Sequence, residues 1–94
     1  MPDLHLAVKG EYYREINAGR KTRENRKRTE YWKKRIENRE YDYVYIRLGY
    51  PARDDLSRIM KFPWRGYELK TITHPHFGDK PVDVYAIILE DRIH

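Results

Sequence analysis

Residues 41–48, Tyr41-Asp42-Tyr43-Val44-Tyr45-Ile46-Arg47-Leu48, put Val44, Ile46 and Leu48 on one side and Tyr43, Tyr45 and Arg47 on the other. Period-two alternation rich in β-branched and aromatic residues predicts a strand with one buried face. Gly49-Tyr50-Pro51 ends it. Upstream, Leu4–Val8 reads as a first strand and Gly10–Ala18 as a helix carrying Tyr12, Tyr13 and Ile16 on one face. Gly19 follows that helix, where a left-handed backbone costs glycine little. Thr29 is placed to cap a second short helix over residues 30–37, with Trp32 and Ile36 inward and Lys33, Lys34 and Arg35 in water. Downstream, Tyr67–Thr73 and Val82–Leu89 read as strands around the loop His74–Asp79, the last one apolar on both faces like a central strand. Arg53-Asp54-Asp55 and Phe62–Gly66 read as connections, with a short helix or strand between them. Four strands and two short helices make the class α+β. A sheet this small hides its edges most economically by curling into a small β-barrel, flanked here by the two helices.

With 94 residues the chain is expected to form one domain spanning 1–94. So short a domain buries a modest share of its surface, and its core must lean on 9 Tyr, 2 Trp and 2 Phe. Buried tyrosine needs a partner for its hydroxyl, so many of these rings are expected half-in with the polar tip near water. The absence of cysteine excludes a disulfide scaffold, a thiolate zinc site and a cysteine nucleophile, and fits a reducing compartment. No apolar run approaches the roughly 20 residues of a membrane span, and residues 1–8 lack the basic-then-apolar pattern of a signal peptide. The expectation is a cytoplasmic monomer without membrane contact.

The net charge of +5 is concentrated. Arg20, Lys21, Arg23, Arg26, Lys27, Arg28, Lys33, Lys34, Arg35 and Arg39 stand in one stretch with only Glu24, Glu30 and Glu37 to oppose them. A basic patch on a near-neutral body is the footprint of a phosphate-bearing partner, although charge runs also occur as plain solvated helix faces.

Inside that stretch, Gly19-Arg20-Lys21-Thr22-Arg23-Glu24-Asn25-Arg26 follows the pattern G-x-K-x-x-E-x-R. In its place after a first strand and helix, and before a basic segment and an aromatic strand, it resembles the ASCH domain family. The resemblance covers nearly the whole chain. It implies a PUA-like, mostly β, barrel-like fold with a cleft facing RNA, and as ligand RNA or a modified nucleoside. Some ASCH domains are ribonucleases, some are amidohydrolases acting on N4-acetylcytidine, and some belong to transcriptional coactivators, so the resemblance implies the class of partner better than the reaction.

By the same resemblance Lys21, Glu24 and Arg26 match the family's lysine, acidic and basic positions. Lys21 then acts as a general base, its pKa lowered by desolvation and the neighbouring cation, or stays charged and holds a phosphate. Arg26 forks onto a phosphate or carbonyl, and Glu24 accepts from a base edge or orients Lys21. Arg20, Arg23, Lys27 and Arg28 would steer phosphates, and Tyr50 or Trp64 would stack on a base. The plain alternative is a surface ion pair between Lys21 and Glu24. A regular strand through residues 21–26 would send Lys21 and Glu24 to opposite sides, so a shared pocket requires a break there. The amidohydrolases carry threonine where Glu24 stands and use a later glutamate; Thr22 sits one residue from Lys21 instead, and Glu68 is the conceivable later carboxylate. Three functions remain: a binding module for RNA or a nucleotide-like ligand, a hydrolase using Lys21 and Glu24, and a protein-interaction module whose basic helix meets an acidic partner. His74-Pro75-His76 with Asp79, and the pair Asp54-Asp55, fix no metal-ligand spacing, and neither a metal nor a cofactor is expected.

Overall fold

The computed structural model describes residues 2–49, 56–73, 75 and 78–94. In chain order these form β1 (Asp3–Val8), α1 (Gly10–Asn17), β2 (Arg23–Lys27), α2 (Glu30–Ile36) and β3 (Tyr43–Leu48). A 3-10 turn (Leu56–Arg58), β4 (Ile59–Pro63), β5 (Tyr67–Ile72) and β6 (Val82–Ile88) follow. Two three-stranded sheets result, ordered β1-β3-β4 and β2-β6-β5. β1 runs parallel to β3, and the other pairs are antiparallel. The class is α+β as expected. The ladders do not close into a barrel among the described residues; the edges are managed in other ways. The outer edge of β4 is covered by Ile93 and His94, where Lys61 N–H donates to the His94 carbonyl at 2.8 Å and Ile93 N–H to the Lys61 carbonyl at 2.8 Å.

Alternation decides the packing. Leu4, Leu6 and Val8 of β1, Val44 and Ile46 of β3, and Met60 and Phe62 of β4 share one core with Tyr85 and Ile87 of β6. Ile16 of α1, Ile36 of α2 and Leu89 complete it, with Tyr12, Tyr13 and Trp32 packed partly against it. β6 is the central strand of its sheet, and Val84, Tyr85, Ala86 and Ile87 are all buried, which explains why it is apolar on both faces. On the other face of the first sheet the rings serve as surface packing. Tyr45 stacks on His5 with centroids 4.9 Å apart, and the Lys61 ammonium lies 3.9 Å from the Tyr43 ring and 5.8 Å from that of Tyr45.

Residues 62–66 differ from the sequence-based expectation. Phe62 and Pro63 belong to β4, with Phe62 in the core. Proline is tolerated there because β4 is an edge strand and Pro63 is its last residue. Trp64 follows, held against Tyr41 edge to face at 5.2 Å. Arg53, Asp54, Asp55, His74 and His76 lie outside the described residues. No helix among the described residues is long and apolar enough to cross a membrane.

Candidate functional site

The end of α1 sets up the site. Gly19 takes φ +80°, its N–H donates to the Ile16 carbonyl at 3.0 Å and that of Arg20 to the Glu15 carbonyl at 3.0 Å, a Schellman closure that turns the chain sharply off the helix. Lys21 also donates its N–H to the Glu15 carbonyl, at 3.2 Å, so it still belongs to the helix end. The strand begins only at Arg23. Lys21 is thereby released from the alternation that would oppose it to Glu24, and its ammonium lies 3.7 Å from Glu24 Oε1.

Within β2 the register pairs Glu24 with Ile87 and Arg26 with Tyr85. Residues opposite each other in a ladder share a face, so both charges stand on the face that β6 presents to the core. An apolar residue there would simply extend the core. Glu24 is instead the one buried charged residue among those described, its side chain 8% exposed. Arg26 Nη2 lies 2.9 Å from Glu24 Oε2 and donates to the Ala7 carbonyl of β1 at 2.9 Å. This guanidinium bridges edge strands of the two sheets. It also lies 5.1 Å from the centroid of the Trp32 ring, while Lys21 Nζ lies 5.5 Å from that of Tyr12. Arg26 Nε is buried with no hydrogen-bond acceptor among the described residues, a donor that costs free energy until something accepts from it.

These groups line a cleft of about 380 Å³ between β1, α1, β2 and α2. Lys9, Asn25, Lys27, Thr29 and Ile72 also contribute to its walls. The Thr29 hydroxyl accepts from the Trp32 N–H at 3.4 Å, fixing the start of α2 and with it the indole. Of the expected ligand-binding residues, Lys21, Glu24, Arg26 and Lys27 thus come together. Arg28 lies just beyond, with its guanidinium 5.7 Å from the centroid of Tyr85.

Arg20 and Arg23 lie elsewhere. Arg20 pairs with Glu15 at 2.7 Å on the surface. Arg23 points to the opposite face of β2, where it pairs with Glu68 at 2.7 Å and Glu90 at 3.5 Å. Glu68, also held by Lys70 at 3.6 Å, is therefore no later carboxylate for the cleft. Trp64 does not line it either, and Tyr50 lies outside the described residues. No group of three or more metal-ligating side chains occurs among the described residues.

No family model, curated protein or solved structure matches the chain. The chemistry of the cleft is what bears on its use.

Of the cleft rings, Tyr12 was expected only on the packed face of α1, while Trp32 was expected as the anchor of α2, with an RNA-facing role beside the basic run as the other reading. Both do pack against the core, and both also present a ring to a cleft cation. The ring beside a basic run was the available signal for Trp32. Nothing in the sequence singled out Tyr12 from Tyr13.

Burial pushes the Glu24 carboxyl above its ordinary value of 4.5, with Arg26 and Lys21 opposing the shift. The folded protein therefore holds this proton in a pH window where the unfolded chain has already released it. The stability contributed by this titration is complete below about pH 4.5 and is lost as pH rises through the native value. Urea denaturation across pH should show the unfolding free energy of the wild type, minus that of Glu24→Gln, declining as pH rises above 4.5. A difference that climbs over the same range would mean the two cations outweigh burial.

Proposed function

We propose that the protein is a binding module for RNA or a nucleotide-like ligand, of the ASCH kind, which receives its ligand in the cleft of Lys21, Glu24 and Arg26. The observation that carries the reading is the buried carboxylate between two cations on the core face of β2, beside a guanidinium Nε that finds no acceptor among the described residues. Such a group is a poor device for stability, because apolar residues in its place are commonly as good or better. It is a good device for recognition. Glu24 offers acceptors, Arg26 and Lys21 offer donors, and the neighbouring indole and phenol offer flat faces to a heterocycle. The PUA-like barrel of the family is part of the proposal, with the β1 and β2 edges that Arg26 bridges as its mouth.

Binding of a fluorescently labelled single-stranded RNA, followed by anisotropy over a series of potassium chloride concentrations, tests this. Affinity should fall linearly on a log–log plot, with a slope of about −0.7 per phosphate neutralised. Lys21→Ala should weaken binding; where Lys21 holds a phosphate it should also flatten that slope by about 0.7. Affinity that is flat in salt and indifferent to Lys21 contradicts the proposal.

A further inference from the structure

A second concavity, of about 450 Å³, adjoins the cleft and shares Lys27 and Thr29 with it. Lys27, Arg28, Lys33 and Tyr85 form its walls together with Glu30 and Asp83. Of these two acids, Asp83 is engaged outside the groove. The Asp83 carboxylate accepts from the Thr71 hydroxyl at 2.7 Å, which directs it toward β5. Arg28 is held from two sides, by its N–H on the Asp83 carbonyl at 3.1 Å and by its guanidinium over the Tyr85 ring. The Tyr85 hydroxyl in turn donates to Glu37, so the ring that carries Arg28 is itself anchored. A cation resting on an aromatic face keeps its charge and its planar fork of donors, the geometry that suits phosphate oxygens. Arg20 and Arg23, which line neither concavity, are engaged by Glu15, Glu68 and Glu90. The basic residues that continue from the cleft into the second groove are Lys27, Arg28 and Lys33.

We infer that this second groove is a phosphate subsite, in which a phosphate attached to the ligand of the cleft passes Lys27 and lies against Arg28 and Lys33. The inference rests on the proposed function and specifies the ligand class: a nucleotide or a nucleic-acid strand, as opposed to an uncharged nucleoside.

Calorimetric and amide-shift titrations with ribonucleosides, their 3′- and 5′-monophosphates, and dinucleoside monophosphates test it, beside a titration with inorganic pyrophosphate alone. Adding the phosphate should tighten binding about tenfold or more, and in the double variant R28Q/K33Q the nucleotide-to-nucleoside affinity ratio should fall to near one. A mononucleotide that gains as much as a dinucleoside monophosphate identifies a free nucleotide as the ligand. A gain that only the dinucleoside shows identifies a strand. No gain, or a gain that survives in R28Q/K33Q, overturns the subsite while leaving nucleoside binding in the cleft intact. If no nucleoside or nucleotide binds, the cleft reading fails, and pyrophosphate decides the groove alone: shifts at residues 27–33 that vanish in the double variant support it, and their absence overturns it.

Discussion

Arg26→Ala is expected to destabilise the fold by about 3–5 kcal/mol at neutral pH, lowering the melting temperature by about 12 °C or more in a domain of this size. The substitution removes the nearest countercharge, at 2.9 Å, from a carboxyl whose ionised form burial already disfavours. It also takes away the donor to the Ala7 carbonyl and the cation over Trp32, and with them the side chain that ties β1 to β2. Glu24 then stays charged without its closest partner or takes up a proton, and either response costs stability. The deficit should shrink in acid, where Glu24 is protonated in both proteins. Arg20→Ala, which breaks an exposed pair with Glu15, should change the melting temperature little and serves as the comparison. Equal melting temperatures for Arg26→Ala and wild type would mean that Glu24 does not depend on Arg26.

The paired substitution Glu24→Leu with Arg26→Met should behave in the opposite way. Both charges leave the core face together, where the introduced leucine would adjoin Ile87 and the introduced methionine would adjoin Tyr85. The charge left behind, the Lys21 ammonium, is part-exposed and can turn to water. Replacing a buried ion pair by apolar residues of similar volume is commonly neutral, or stabilising by about 1–4 kcal/mol. Stability is therefore expected to return to the wild-type level or above it. Affinity for single-stranded RNA should nonetheless fall about a hundredfold or more, since two groups that make charge-assisted hydrogen bonds are lost. Stability gained and binding lost in the same protein would identify the ion pair as a functional feature that the fold does not need. Binding retained at wild-type strength would remove Glu24 and Arg26 from the site.

The sequence was most legible where apolar residues mark an element. β3 was readable because Val44 and Ile46 are buried at period two, and β6 because its run Val84–Ile87 is buried on both faces. In the helices Ile16 and Ile36 are the buried anchors, and Thr29 caps the second. β2 was not legible, since Arg-Glu-Asn-Arg-Lys contains no apolar residue, and its inward face carries Glu24 and Arg26. A strand where the hydrophobic pattern fails is the place to look for a site. β4 was obscured by Pro63 and Trp64, which suggest a connection, although Met60 and Phe62 alternate with Lys61 as a strand should. The G-x-K-x-x-E-x-R pattern identified the three groups of the cleft. It carried no information on how Lys21 and Glu24 meet, because that depends on where the helix end stops and the strand begins. Distribution of the basic residues was the least legible feature. Whether Arg23 or Arg28 faces the cleft follows from strand register and from the positions of Glu68 and Glu90, more than forty residues away in the chain.

The most direct test of the cleft is a titration of isotope-labelled protein with a short single-stranded RNA at moderate salt, followed through backbone amide and tryptophan indole shifts. Saturable shifts confined to Tyr12, residues 21–29, Lys33 and the Trp32 indole, and persisting as salt is raised modestly, are predicted. Small shifts spread over Lys34, Arg35 and Arg39, vanishing with added salt and leaving Lys21, Glu24 and Arg26 unmoved, would contradict it.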